Sequence, residues 1–208
     1  MIINESTKSF LDKLASSAPT PGGGSVAALV GSLGAGLVTM VTCLTSGKEK
    51  YKEVQPQIEQ LMQAAEALRG QLQDLIQKDI DVFGSLSQVY AMPKSTDAEK
   101  AARTAKMQEV LKEACKVPFE IAEKALEAAK LAKTAAEIGT TAAVSDAGVA
   151  VILANASVQS AALNVKINVN SIKDADFNEK TWTRMQAIMQ EAEDLQKTVL
   201  GITYTKMG

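Results

Sequence analysis

Apolar residues recur at spacings of three and four along most of the chain, which predicts helices rather than strands. Over residues 6–15, Phe10, Leu11 and Leu14 share one side while Lys8, Asp12 and Lys13 lie elsewhere, so a short amphipathic helix is expected. The run Pro19-Thr20-Pro21-Gly22-Gly23-Gly24-Ser25 should break it, because two prolines and three glycines oppose regular helix. From Ser25 to Ser46 no charged residue occurs. That length raises the question of a membrane span, but the many Gly, Ser and Thr positions and the absence of a basic flank favour a buried central helix. Ala28, Ser32 and Gly36 recur every four residues, as do Ala27, Gly31 and Ala35, and should let another helix approach closely.

Residues 48–92 predict one long helix, with Ile58, Leu61, Leu68, Leu72, Leu75, Val82 and Leu86 on its stripe and Met92-Pro93 at its end. A second long helix is expected from the Thr96-Asp97 cap region to Glu137, kinked at Pro118 and stopped by Gly139. Another nearly uncharged segment runs from Thr140 to Val165, broken only by Asp146. Its tail, Val165 to Asn170, alternates like a strand but is assigned to helix, because a lone strand would have no partner. The last helix is expected over Glu179 to Val199. The whole, residues 1–208, reads as one all-α bundle of six or so helices. Its two uncharged segments form the inner layer, and their area makes a homodimer the expected assembly.

Composition narrows the function. The 24 acidic and 22 basic side chains leave a net charge of -2, and histidine is absent. A Ser-His-Asp or Cys-His pair, an HExxH zinc helix and a histidine proton shuttle are therefore excluded within one chain. Near-neutral charge and 4% aromatics argue against nucleic acid as a partner. Met1-Ile2-Ile3-Asn4-Glu5 has no basic region leading into an apolar one, so a cytoplasmic location without membrane insertion is expected. Cys43 and Cys115 lie in separate apolar stretches and read as small buried hydrophobes; no metal site is expected.

Three features exceed what a plain helical bundle needs. Pro21-Gly22-Gly23-Gly24-Ser25 runs straight into a helix: glycines let amides approach a ligand, and Ser25 is a natural N-cap. A tight turn between helices explains it as well as a ligand loop. Asp79 sits on the apolar stripe, four residues after Leu75 and four before Phe83, whereas Asp74 and Asp81 fall off it. A carboxylate there is desolvated, which raises its pKa toward acid–base use, unless it serves to cap a neighbouring helix. Finally, at about 100° per residue, Asp146, Ser157, Asn164, Asn168 and Ser171 project in nearly one direction while Lys166 points nearly opposite. Such a line marks either a wet cleft or a polar seam between helices.

These residues, taken in order, carry a likeness: Phe10-Leu11, the Pro19 to Ala28 run, Asp79 with Phe83, Pro93-Lys94, Ser145 to Ala150 and Asn164-Val165-Lys166-Ile167-Asn168. Together they resemble the cyclodeaminase/cyclohydrolase family, which includes the C-terminal domain of formiminotransferase-cyclodeaminase and free-standing methenyltetrahydrofolate cyclohydrolases. The resemblance implies an all-helical dimer acting on a one-carbon unit between N5 and N10 of tetrahydrofolate, with the folate derivative as substrate and no metal or redox cofactor. It implies acid–base catalysis by Asp79 first and Asp146 second. It also implies substrate contacts from Pro21, Gly22, Gly23, Gly24, Ser25 and Phe83, orientation by Asn164 and Asn168, and a glutamate tail met by Lys166 or Lys94. No formiminotransferase domain accompanies the matching stretch, so a cyclohydrolase is the first expectation and a single-activity cyclodeaminase the second. A non-catalytic oligomerisation module is the alternative of another class.

Overall fold

A computed structural model describes all 208 residues. Six α-helices carry the chain: α1 (Thr7–Leu14), α2 (Gly23–Thr45), α3 (Gln55–Tyr90), α4 (Asp97–Ile138), α5 (Val144–Ser171) and α6 (Ala175–Met207). Short 3-10 turns occupy Ile2–Asn4, Glu49–Val54 and Thr141–Ala143, and there is no strand. The alternating tail at Val165 to Asn170 is helical, as expected.

Helix starts follow local chemistry. Ser6 accepts from the Ser9 amide, Asp174 accepts from the Phe177 amide, and Thr96 with Glu99 forms a capping box. Two boundaries differ from expectation for physical reasons. The segment from residue 48 splits, because Tyr51 leaves helical geometry and Pro56, in the first turn, starts α3 afresh. At the other end, α6 begins at the Asp174 cap and runs on past Val199 to Met207. Its last turn is tied down by Lys206, whose Nζ donates to the carbonyls of Ala136 and Glu137 at 2.6 Å each, satisfying the end of α4.

α4 runs as one helix from Asp97 to Ile138, with Pro118, the expected kink position, inside it. Proline removes the amide that would bond the Ala114 carbonyl. The Asn168 side chain of α5 supplies a donor instead, with Nδ2 3.4 Å from that oxygen.

The central packing is set by small residues. α2 lies in a groove formed by α3, α4 and α5. A side-chain carbon added at Gly31 would come within 2.8 Å of Ser157 Oγ and 3.3 Å of Leu72, and one at Gly34 within 3.0 Å of the Ala150 carbonyl. Ser157, fully buried, donates to the Ala27 carbonyl at 2.7 Å and pins α5 to α2. The inner faces of α2 and α5 are buried as anticipated, but each helix keeps an exposed apolar stripe. Leu33, Met40 and Leu44 lie on one; Val149, Ile152, Leu163 and Ile167 lie on the other. Both helices are long and apolar enough to cross a membrane by length and composition, and half of each such window is buried within the bundle. Cys115 is buried, its thiol pushed up to about 11 by desolvation. Cys43, expected in the core, is exposed on α2 because it follows the outward stripe rather than the inward one.

Candidate active site at the start of α2

The antiparallel run of α2 against α3 brings the glycine loop to Asp79. Contrary to expectation, Ser25 is not the cap: α2 begins at Gly23 with Gly22 as N-cap, and Ser25 lies inside the first turn. Its hydroxyl, wholly buried, donates to Asp79 Oδ2 at 2.8 Å. The Val26 amide makes the first helical bond, to the Gly22 carbonyl, so the amides of Gly23, Gly24 and Ser25 have no partner within the helix. The Asp79 carboxylate therefore sits at the positive end of α2.

The three glycines answer different demands. A carbon added at Gly24 would lie 2.1 Å from Asp79 Oδ1 and 2.6 Å from its Cγ, so only glycine leaves room for the carboxylate. At Gly23 the nearest atom would be Asn164 Nδ2 at 3.4 Å, while Gly22 would meet only the Pro19 carbonyl at 3.7 Å. The loop is thus less a turn than a seat, and Thr20-Pro21, a cis peptide, leads into it.

Asp79 is half-buried, and burial is the largest influence on it, raising its pKa. The hydroxyl and amide of Ser25 oppose that rise by stabilising the charged form, without overcoming it. Asp81 is exposed and bonded to Gln77, in keeping with its position off the stripe.

α2 starts at Gly23, level with Asp79, whereas α3 runs on. α3 extends 11 residues past Asp79 to Tyr90, or about 16 Å at 1.5 Å per residue. On this extension Phe83, Leu86 and Tyr90 lie within about 60° of the Asp79 direction. That is the face with which Leu72 packs on Gly31 lower down. With α2 ended, Phe83 is 36% and Tyr90 59% exposed. Asn164, on the last turns of α5, lies beside Gly23, and Asn168 follows one turn on, both half-buried. The start of α2 thus gathers a carboxylate, a hydroxyl and helix-start amides next to a partly exposed apolar face of α3.

The polar line on α5 therefore has two fates. Ser157 lies under α2 as a packing seam, whereas Asn164 reaches the first residue of α2 at Gly23 and Asn168 lies one turn beyond, both half-buried. Asn164 Nδ2 donates to the Ser160 carbonyl at 2.9 Å, and Asn168 Nδ2 donates to the carbonyls of Asn164 and Ala114. Both amide oxygens are left to accept a bond. Asp146 does not join them. It lies in the first turn of α5, 18 residues before Asn164, about 27 Å along the axis. Lys166 is exposed and turned toward α6, its Nζ 4.2 Å from the Trp182 ring centroid, which agrees with its opposite projection. Lys94 lies exposed in the α3–α4 connection, 15 residues beyond Asp79. A cavity of about 350 Å³ between α4 and α6, lined by Cys115, Phe119, Phe177 and Arg184 among others, contains none of these groups.

Sequence reasoning missed three roles here. Ser25 as the hydroxyl donor to Asp79 was hidden by its suitability as a cap. Gly24 as the seat of the carboxylate could not be told from its neighbours. The continuation of the Asp79 stripe to Tyr90 was legible in the spacing, but its exposure depends on where α2 stops.

A sequence model of the formiminotransferase-cyclodeaminase family matches residues 6–200. The chain belongs to this family. Within it, the chain is 44% identical to methenyltetrahydrofolate cyclohydrolase of Methylorubrum extorquens over 205 residues, 99% of each chain. It is 32% identical to rat formimidoyltransferase-cyclodeaminase over 96% of its own length, spanning 37% of that longer relative. Among family structures, the crystal structure of formiminotetrahydrofolate cyclodeaminase from Thermotoga maritima matches with a TM-score of 0.89 at 30% identity, covering all of both chains.

Proposed function

We propose that this protein hydrolyses 5,10-methenyltetrahydrofolate to 10-formyltetrahydrofolate, with Asp79 as the acid–base group. The observation that carries the chemistry is the Asp79 carboxylate, half-buried on Gly24 and held by Ser25 at the start of α2, beside the partly exposed Phe83. The choice of hydrolysis is supported by the likeness to the Methylorubrum cyclohydrolase along the full length of both chains.

In this reading the bridging carbon of the methenyl cation lies beside Asp79. Water adds to that carbon as Asp79 takes one of its protons. The bond from the carbon to N5 then breaks, N5 receives the proton held by Asp79, and the remaining hydroxyl proton leaves to solvent as the formyl C=O forms on N10. Atoms balance as methenyl cation plus water giving 10-formyl product plus one proton. A carboxylate lifted above its ordinary pKa both accepts and returns a proton more readily near neutrality. The amides of Gly23 and Gly24 at the start of α2 and the oxygens of Asn164 and Asn168 orient the pterin. The donor set supports a reaction without metal, since the site offers one carboxylate, hydroxyl and amide groups, and the chain has no histidine.

Formiminotetrahydrofolate cyclodeamination is the second reading, favoured by the full-length match to the Thermotoga structure. There N10 attacks the formimino carbon and ammonia leaves through the same tetrahedral arrangement. Supplying 5,10-methenyl- and 5-formiminotetrahydrofolate in parallel, and following methenyl absorbance, separates the two. Accelerated loss from the first supports hydrolysis. Gain from the second with ammonia release supports deamination. No acceleration with either leaves only a helical oligomerisation module.

The working unit of the proposal is a cytoplasmic homodimer. The exposed apolar stripes of α2 and α5 support it, since a continuous uncharged face of this kind marks an interaction surface.

A further inference from the structure

We infer that the cavity between α4 and α6 is a binding site for a small planar aromatic anion, separate from the site at Asp79. Its walls follow from helix spacing. Cys115 and Phe119 stand one turn apart on α4, and Phe177, Lys180, Thr181 and Arg184 share one face of α6 at steps of three and four. The volume of about 350 Å³ lies within the range of small-ligand clefts. Further along α6 the inward residues Met185, Ile188 and Ala192 are buried, whereas Phe119, Phe177 and Thr181 stay half-buried around the cavity. Cys115, 1% exposed, lines its inner side. Desolvation pushes that thiol up to about 11, so the interior offers a neutral, polarizable surface rather than a thiolate.

The charges around the rim select an anion. Both carboxylates there are occupied: Glu123 accepts from Arg184 at 2.8 Å, and Glu120 pairs with Lys78 at 3.7 Å. Lys116 is likewise taken, by Glu113 at 2.6 Å. Lys180, by contrast, is in no ion pair. The Arg184 guanidinium, 4.9 Å from the Phe119 ring centroid, donates one of its five N–H groups to Glu123 and keeps the others. Lys180 and Arg184 lie one turn apart on α6, so two cations with donors to spare border the same cleft. A planar ring meets Phe119 and Phe177, and its carboxylate or sulfonate takes Lys180 and Arg184. Other guests use fewer of these groups. No free carboxylate awaits a cation, and the two rings with the guanidinium plane favour a flat aromatic surface over an aliphatic one.

Isothermal titration calorimetry with naphthalene-2-carboxylate, naphthalene-2-methanol and 2-naphthylmethylammonium tests the site. Wild type should bind the carboxylate saturably at one site per chain, about tenfold more tightly than the alcohol or the ammonium, the scale of one charge-assisted hydrogen bond. Lys180→Glu, at an exposed position, should erase that preference and favour the ammonium instead. Phe177→Leu keeps bulk but removes a ring, and should weaken all three guests. Asp79→Asn should leave every affinity unchanged. Absence of saturable binding to wild type overturns the site. So does an affinity for the carboxylate that Lys180→Glu or Phe177→Leu leaves unchanged, which would put the guest on the exposed stripes of α2 and α5. An affinity that Asp79→Asn alters would put it at the catalytic carboxylate and overturn the site equally. If Phe177→Leu does not fold, Lys180→Glu decides alone.

Discussion

Asp79 stands under two opposed influences, and their balance makes specific demands on activity and stability. Burial raises its pKa, and Ser25 partly restrains it. If the carboxylate is the base, kcat/KM should climb with pH to a plateau, with its inflection above the ordinary aspartate value of about 3.9. Ser25→Ala removes a bond that favours the charged form, so the inflection should move higher still; a profile that moves down or stays fixed refutes the coupling. Stability has the opposite sense. A raised folded-state pKa gives a contribution that is complete below the unfolded pKa and is lost as pH rises through the folded value. Asp79→Asn is neutral throughout, so at neutral pH it should melt at or above wild type, and the gap should close on acidification. The same variant should lose turnover by about 100-fold or more, the scale of a general acid–base group. Near-wild-type activity would return Asp79 to a structural role. Gly24→Ala tests the seat. Its new carbon falls on the carboxylate, and displacement of a reacting group by about 1 Å costs roughly 100-fold. Gly22→Ala, with only an ordinary contact to meet, should cost far less.

At the scale of elements, the spacing of apolar residues located all six helices and the inward faces of α2 and α5, because a buried stripe must repeat at the helical period wherever the chain packs. It placed Asp79 on the core face and Asp81 off it for the same reason. What remained hidden depends on pairs of elements. The fate of the polar line on α5 turned on α2 ending at Gly23, and Asp146 fell away because angular agreement on a helix says nothing about distance along it. That α4 continues through Pro118 draws on a remedy, the Asn168 amide, that lies 50 residues further on. That remedy has its own prediction. Asn168→Ala leaves the Ala114 carbonyl short of a donor and should cost about 1 kcal/mol. In a Pro118→Ala background the restored amide of residue 118 takes that carbonyl, so the penalty from Asn168→Ala should shrink. Equal penalties in the two backgrounds, by denaturant melts, would show that Asn168 does not serve the proline.

For the molecule as a whole, the apolar stripes on α2 and α5 are the largest departure from what an isolated bundle needs. Leu163 is 74% and Ile167 68% exposed, yet both helices are nearly free of charge on every face. A monomer could carry Lys or Glu there without penalty, since outward helix positions normally do. A second copy would bury the stripe without requiring any other partner, and a stable interface needs about 800 Å² from each side. Seven half-exposed or more exposed Leu, Met, Val and Ile side chains on adjacent helices provide the apolar centre of such an area. Leu163→Glu with Ile167→Lys would place charges at that centre. Wild type should elute at twice its 22.0 kDa chain mass, and its melting temperature should rise with protein concentration. The double variant should run as a single chain and lose that concentration dependence, because only a subunit equilibrium links melting to concentration. A wild-type chain that is monomeric across the concentration range would remove the second copy as the occupant of this face. A variant that still elutes at twice the mass would place the interface elsewhere on the bundle.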